Sequence, residues 1–398
     1  MAIQTNIHNV NKSNSNISKL KKDFEETISR EEIGFFDLPK ASYQKAVALY
    51  EVFESKKEFV LFGIGGSALG PKMLESALGD RKRKFHFLEN IDADTFAEFV
   101  ETVDAQNAIY YIVSKSGGTA ETLALLCAFE NEMNKRGVDV SKLRESYVIA
   151  TEPKDSGLTQ FAKDNHVKTL EIPFDVGGRF SVLTNVGLFP AMFMGIDVKE
   201  LLSGAGSFQI EDNLETACII HELYESGVNH SALMPYSHKM KYFSDWFVQL
   251  WAESLGKDGQ GLTPISAIGA TDQHSILQLF TAGPADKFYF LLEVEKRSHD
   301  FHLGNSTSHA SFEKLSKISL NTLYKAEFEG TFKSLLEVNR PVVHMKIDEL
   351  NAFNLGYLIM YFESLTVLMG SLMQINPFDQ PGVEASKKFA WEWVNSNA

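Results

Sequence analysis

The chain has 398 residues, with 38 Lys and Arg against 52 Asp and Glu, a formal net charge of -14 and two cysteines, Cys127 and Cys218. That length is enough for roughly two domains, or three, whose cores need no covalent staples, and so few cysteines fit a reducing cytoplasm. The negative balance argues against nucleic acid or an anionic membrane as a general partner, since the average surface repels both.

Residues 1–18 are polar and rich in Asn and Ser, without the basic start and apolar stretch of a secretory signal. Residues 18–29 and 41–55 read as amphipathic helices, the second with Ala46, Ala48, Leu49 and Val52 on one side. Glu58–Phe62 reads as a strand running into a glycine turn, Gly63-Ile-Gly-Gly-Ser-Ala-Leu-Gly-Pro71, that feeds a helix through Leu78. A strand at Lys84–Leu88 and a helix over 94–102 lead to Ala108–Val113, apolar and β-branched enough for a buried parallel strand. That strand ends in Ser114-Lys-Ser-Gly-Gly-Thr119, and a helical pattern begins at once with Ala120. Strands over 147–150 and 167–172, with a helix between them, continue an alternation that marks a doubly wound parallel sheet.

A third glycine turn, Phe174-Asp-Val-Gly-Gly-Arg-Phe-Ser181, precedes a helix over 184–194, and past Asp197 the helices lengthen. A boundary there gives N-terminal helices and a first sheet domain in 1–196, and a second α/β domain with the C-terminal helix in 197–398. In the second, 231–236, 287–294 and 341–347 read as strands among helices at 239–255, 274–281 and 311–337. Residues 351–375 are the one long apolar tract, and Asn354, Glu363, Ser364, Ser371 and Gln374 inside it favour a central buried helix over a membrane span. A turn-rich loop, Asn376-Pro-Phe-Asp-Gln-Pro-Gly-Val-Glu384, and a helix carrying Lys387 and Lys388 end the sequence.

The chemistry gathers at the turns. Where a strand feeds a helix, the first amides are unpaired and lie at the positive end of the helix dipole, so the hydroxyls of Ser114, Ser116 and Thr119 with those amides make an anion cradle. An ordinary Ser/Thr helix cap is the plainer reading. The segment from Gly63 to Ala68 satisfies a dinucleotide fingerprint, with Glu89 ending the next strand, but Ser67 and a second hydroxyl-rich loop nearby suit one compact anion better. Arg179, on a backbone kept thin by Gly177 and Gly178, can bring an always-charged fork against a ligand oxygen, or be a surface arginine beside a turn. Glu253 lies one helical turn after Gln249, among Trp246, Phe247, Leu250 and Trp251, where a carboxylate could gain the proton affinity of a general base; it could equally be a solvated helix-end residue. His274 follows Gly269-Ala-Thr-Asp-Gln273 and opens the helix over 274–281, whose positive end favours a neutral imidazole, although a lone histidine is commonly structural. His299, His302 and His309 lack ligand-like spacing with Cys or carboxylates, so no metal is invoked.

Together these segments, with Trp251-Ala-Glu-Ser-Leu-Gly-Lys257 and Phe378-Asp-Gln-Pro-Gly-Val-Glu-Ala-Ser-Lys387, resemble the phosphoglucose isomerase family over about residues 58 to 392. The resemblance implies two sugar-isomerase (SIS-type) doubly wound domains, with parallel sheets flanked by helices. It implies interconversion of glucose 6-phosphate and fructose 6-phosphate in glycolysis and gluconeogenesis, by ring opening and a cis-enediolate, without a cofactor. A homodimer is implied as well, because the family takes its ring-opening histidine from the neighbouring subunit. Carried over, Ser114, Ser116, Thr119 and the Lys115 amide hold the phosphate, Gly66 and Ser67 lie beside the sugar, and Gln249 and Gln380 bind its hydroxyls. Glu253 moves a proton between C1 and C2, Arg179 stabilises the enediolate, and His274 and Lys387 assist ring opening. Two positions depart from the pattern: Gly118 stands where many relatives carry a threonine, and Phe174 where a polar residue is common. A bifunctional phosphoglucose/phosphomannose isomerase, a non-catalytic sugar-phosphate-binding protein and a nicotinamide-dependent oxidoreductase remain alternatives.

Overall fold

Strands covered on both faces lose the alternation of polar and apolar residues and become continuous hydrophobic runs. In the computed structural model, which describes residues 3–11, 13, 17–29, 33–304 and 312–397, these runs are the centres of two five-stranded sheets. The first contains β2 (Glu58–Phe62), β3 (Lys84–Leu88), β4 (Ala108–Val113), β5 (Tyr147–Thr151) and β6 (Lys168–Glu171), in the order β3-β2-β4-β5-β6 and parallel throughout. All six residues of β4 are buried. The second contains β7 (His230–Tyr236), β8 (Thr263–Ser266), β9 (Lys287–Lys296) and β10 (Val342–Glu349), with β8-β7-β9-β10 again parallel. Within each sheet the first strand lies between the second and the third, so each has a switch point where connections leave in opposite directions and a crevice opens at the carboxyl ends.

The fifth position of the second sheet is filled from the other end of the chain. Residues Ile3–His8 form β1, antiparallel to β10, with Ile3 opposite Ile347 and His8 opposite Val342. This corrects the assignment of all of residues 1–196 to the first half, and the reading of the N-terminus as merely polar. Ile3 and Ile7 turn inward while Gln4 and Asn6 face solvent, the mixed pattern of a half-covered edge strand. β8 was also not expected. In helix Gln44–Phe53 the face on the first sheet is Ala46, Leu49, Tyr50 and Phe53, and Val52 is 59% exposed. The spacing from Ala46 to Phe53 is two helical turns, which Val52 misses. The helix expected over 311–337 spans Leu320–Glu337, N-capped by Ser319; Ser311 and His309 lie outside the described residues.

Helix Ala352–Leu372 is long and apolar enough to cross a membrane, and most of it is buried inside the fold, as a core helix is. It crosses helix Val198–Gly206 at two glycines: a Cβ on Gly204 would lie 1.8 Å from the Phe353 carbonyl oxygen, and one on Gly356 would lie 1.9 Å from that of Leu201. Further along, Phe362 packs edge-on against Phe243, Phe247 and Phe290. Its neighbour Glu363 is fully buried, and neither carboxylate oxygen has a hydrogen-bond partner among the described residues. Burial pushes this carboxyl well above the usual carboxylate range.

The sign of the resulting pH dependence follows directly. A carboxyl that stays protonated in the folded chain but ionises in the unfolded one contributes stability below its unfolded pKa, and loses it as pH rises toward the folded value. Glu363→Gln removes that titration. Denaturant unfolding between pH 5 and 7 should therefore show the wild type losing stability relative to Glu363→Gln by about 1.4 kcal/mol per pH unit. Parallel pH profiles for the two proteins would show that Glu363 is not a buried neutral acid.

Candidate active site

At the first switch point, the turns after β2 and β4 lie side by side. Gly65 has φ of 58° and Gly117 φ of 71°, conformations in which a side chain is strained, and a Cβ on Gly117 would also lie 2.1 Å from the Ser156 hydroxyl. A Cβ on Gly66 would lie 2.3 Å from the Gly178 carbonyl oxygen, so the turn after β2 rests backbone to backbone on the third glycine turn. Within the turn after β4, Ser114 is 1% exposed, and its hydroxyl oxygen accepts from the amides of Gly117 (3.1 Å) and Thr119 (3.4 Å) while sharing a 2.8 Å bond with the Thr119 hydroxyl. Ser114 thus shapes the loop from beneath. Lys115, Ser116 and Thr119 line a cavity of about 520 Å³, and Gly66 and Ser67 form its adjoining wall.

The facing wall comes from helix Lys241–Leu255. Trp246, Phe247, Leu250 and Trp251 are turned into the core, whereas Gln249 and Glu253, one turn apart, face the cavity. The Gln249 amide donates to the Glu253 carboxylate at 3.2 Å. The expected aromatic surround of Glu253 is absent: among the described residues no aromatic side chain lines the cavity, Phe247 and Trp251 point away from it, and Trp246, two turns earlier on the same side of the helix, is buried in the core. The Glu253 carboxylate, with the side chain 25% exposed, lies instead 3.8 Å from the Arg179 guanidinium.

Arg179 is 2% exposed, which removes the reading of a surface arginine. Its Nε donates to the Ser254 hydroxyl at 2.6 Å, Nη1 to the Gln380 side-chain oxygen at 3.0 Å, and Nη2 to the carbonyls of Pro377 and of Asp379, the latter at 3.0 Å. Burial lowers its proton affinity, while Glu253 and Asp379 act the other way. A guanidinium keeps its charge under such a shift. Gln380 and Lys387 also line the cavity, Lys387 from the C-terminal helix Glu384–Asn397 with its ammonium 2.7 Å from Glu384.

His274 is not brought to this cavity. It is the last residue of a single 3-10 turn, Thr271–His274, and is exposed, with the next helix starting at Leu277, so it does not stand at a helix N-terminus. Its turn is nonetheless firmly held: Asp272 accepts from the Ile268 amide at 2.7 Å, and Gln273 is bonded to the Tyr236 hydroxyl (3.0 Å) and to Glu327 (2.9 Å).

Two lining residues were missed in the sequence, Glu152 and Lys154. Glu152, 7% exposed at the end of β5, pairs with the ammonium groups of Lys115 (3.4 Å) and Lys154. The available signal was strand order, since β5 adjoins β4 and its carboxyl end must open into the same crevice. Glu89, the acid of the dinucleotide fingerprint, is paired with Lys72. Gly118 has open space where a Cβ would stand, and Phe174 is 71% exposed. A hydroxyl-and-amide cradle facing a carboxylate beside a guanidinium can bind an anionic group at one end of a ligand and move a proton at the other.

Comparison with known proteins places the chain in a family. Residues 49–397 match the family Phosphoglucose isomerase. The glucose-6-phosphate isomerase of Carboxydothermus hydrogenoformans is 37% identical over 391 residues, covering 90% of this chain and 84% of that protein. The crystal structure of a hypothetical protein from Thermus thermophilus superposes with a TM-score of 0.89 at 33% identity, covering 95% of this chain and 96% of that one. A glucose-6-phosphate isomerase from Chlamydia trachomatis shares the fold, with a TM-score of 0.73 at 24% identity over 88% of this chain and 73% of that one. Matched over nearly its whole length in sequence, the chain belongs to the phosphoglucose isomerase family.

Proposed function

We propose that this chain interconverts glucose 6-phosphate and fructose 6-phosphate, with Glu253 as the base that carries the proton between C1 and C2. The observation behind this reading is that the hydroxyl turn after β4 and the Glu253 carboxylate open into one cavity of about 520 Å³, a size suited to a hexose phosphate. Ser116, Thr119 and the loop amides take the phosphate, with Ser114 fixing the turn. Gln249 and Gln380 meet sugar hydroxyls; the Gln249 side-chain oxygen is buried without a partner among the described residues, and so is ready to accept. Negative charge that develops on O1 and O2 as the proton leaves carbon is stabilised by Arg179, and Lys387 assists ring opening. The chemistry needs no redox centre.

His274 completes the proton relay from a second subunit in a homodimer. Its support is the resemblance to the family; in this chain the imidazole is exposed, on a turn that several hydrogen bonds hold in place, as a residue offered to a neighbouring subunit would be. A cytoplasmic location suits the unpaired thiol of Cys127, which is exposed.

Three measurements test these roles. Glu253→Gln keeps shape and hydrogen bonding but not basicity, so turnover should fall by roughly 10²- to 10⁴-fold while substrate still binds, and exchange of the C2 proton with solvent deuterium should stop. Normal exchange in that variant would assign the base elsewhere. Ser116→Ala with Thr119→Ala removes two bonds to a charged group, each worth about 1.5–3 kcal/mol, so calorimetry should show binding of a sugar-phosphate inhibitor weakened by orders of magnitude. Unchanged affinity would move the phosphate site. Finally, mixing inactive His274→Ala and Glu253→Gln proteins under subunit exchange should restore some activity, because one class of mixed site then carries both native residues; no recovery would place both residues in one chain's site.

A further inference from the structure

The two sheets share one strand order, so β7 corresponds to β2 and β9 to β4, and the second sheet has a switch point equivalent to the one that carries the hydroxyl turn. A cavity of about 190 Å³ opens there, lined by Tyr236 at the end of β7 and by Arg297 just past β9. Arg297 is the first residue past β9, as Ser114 is the first past β4. Its guanidinium is half-buried, stacks over the Tyr324 ring at 4.4 Å and donates to the Tyr236 carbonyl at 2.7 Å. Among the described residues no carboxylate lies within ion-pair distance of it. The two acids that share the cavity are engaged elsewhere, Glu293 with His344 (2.9 Å) and Lys325, and Glu295 with Lys346 (2.8 Å). Burial lowers the proton affinity of Arg297, and only a tyrosine opposes that shift. A cation in a crevice at the carboxyl ends of parallel strands, with the neighbouring acids already neutralised, is arranged for an anion from outside.

We infer that the second sheet carries its own site for a small phosphoryl anion, held by Arg297, and that its occupancy is transmitted to the loop bearing His274. The transmission runs through the two tyrosines of the cavity: the Tyr236 hydroxyl donates to Gln273 at 3.0 Å, and the Tyr324 hydroxyl donates to the Gly269 carbonyl. An anion that draws Arg297 off the Tyr324 ring shifts both tyrosines, and with them the turn that presents His274. The effect on turnover rests on the proposed role of His274; the binding does not.

Calorimetric titration of the full-length protein with inorganic phosphate, and separately with the non-isomerisable glucitol 6-phosphate, tests the site. Two sites per chain are expected. Ser116→Ala with Thr119→Ala should abolish one and spare the other, whereas Arg297→Gln should weaken only the other, by about tenfold to a hundredfold. Arg297→Lys, which keeps the charge and loses the fork, should fall between, and gives the same reading if the glutamine variant does not fold. Filling of the second site by both compounds identifies a phosphomonoester ligand, and filling by inorganic phosphate alone identifies the free ion; either supports the inference. A single site per chain in the wild type, or a second site indifferent to Arg297, overturns it. The coupling is read separately, at saturating fructose 6-phosphate, with and without added phosphate: a free-ion site should give a kcat that responds to phosphate in the wild type and not in Arg297→Gln, and a phosphomonoester site, already filled by substrate, a kcat that differs between the two proteins without added phosphate; the same kcat and the same response in both overturn the transmission while leaving the isomerase reading intact.

Discussion

Arg179 directs its donors across the junction between the two sheets, to Ser254 on the helix beside β7, and to Pro377, Asp379 and Gln380 in the loop before the C-terminal helix. These partners are far apart in sequence, and their convergence on one guanidinium sets the width of the cavity. The glycine that permits this is Gly66, where a Cβ would collide with the Gly178 carbonyl oxygen; at Gly178 itself a Cβ would meet open space, so the expectation that Gly177 and Gly178 keep this backbone thin is not what the packing requires. A buried charge with every neighbour hydrogen-bonded is costly to disrupt, because removing it leaves carbonyls unpaired in a dry junction. The group that would feel negative charge during catalysis therefore also assembles the site. A lysine keeps the charge at this position, but it cannot span partners that lie in the directions of a planar fork.

The end of the cavity proposed for the phosphate is built on the opposite plan. Hydroxyls and backbone amides of the turn after β4 are neutral donors, and the charged groups sit at its rim, where Glu152 holds the ammonium groups of Lys115 and Lys154. A chain of net charge -14 thus offers a dianion a local field that its average surface does not. The lysines are partly neutralised by the carboxylate between them, so the donors of the turn dominate short-range recognition while the rim contributes attraction that salt can screen.

How far the sequence revealed this molecule depended on how completely each segment is buried. β2, β4, β5, β7 and β9 were legible because burial on both faces forces continuous apolar runs, and the glycine turns after β2 and β4 followed from those strands. β1 was hidden because an edge strand alternates with polar residues, and β8 because Thr263–Ser266 is four residues long and contains a proline. In the site, Glu253, Gln249 and Arg179 were legible as residue types at telling positions. That Ser114 lies under the turn was not, since which of three neighbouring hydroxyls faces inward is decided by the Gly117 conformation. Glu152 and Lys154 belong to no motif, and only the order of β4 and β5 places them in the crevice. The surroundings of Glu253 were misjudged because the aromatic residues near it in sequence are packed into the core, Phe247 and Trp251 on other faces of the helix and Trp246 two turns away, so none of them lines the cavity.

The antiparallel strand β1 also bears on how the chain acquires its fold. Its partner β10 is separated from it by nearly the whole length of the polypeptide, and the first sheet lies wholly between them in sequence. During synthesis the first sheet can close as soon as β6 has emerged, while β1, made before it, remains an unpaired edge, awaiting a partner that the ribosome delivers only after β7 to β9. Its brevity and its outward-facing Gln4 and Asn6 make that long wait tolerable, because a short strand with polar residues on one face is a poor template for pairing with another nascent chain.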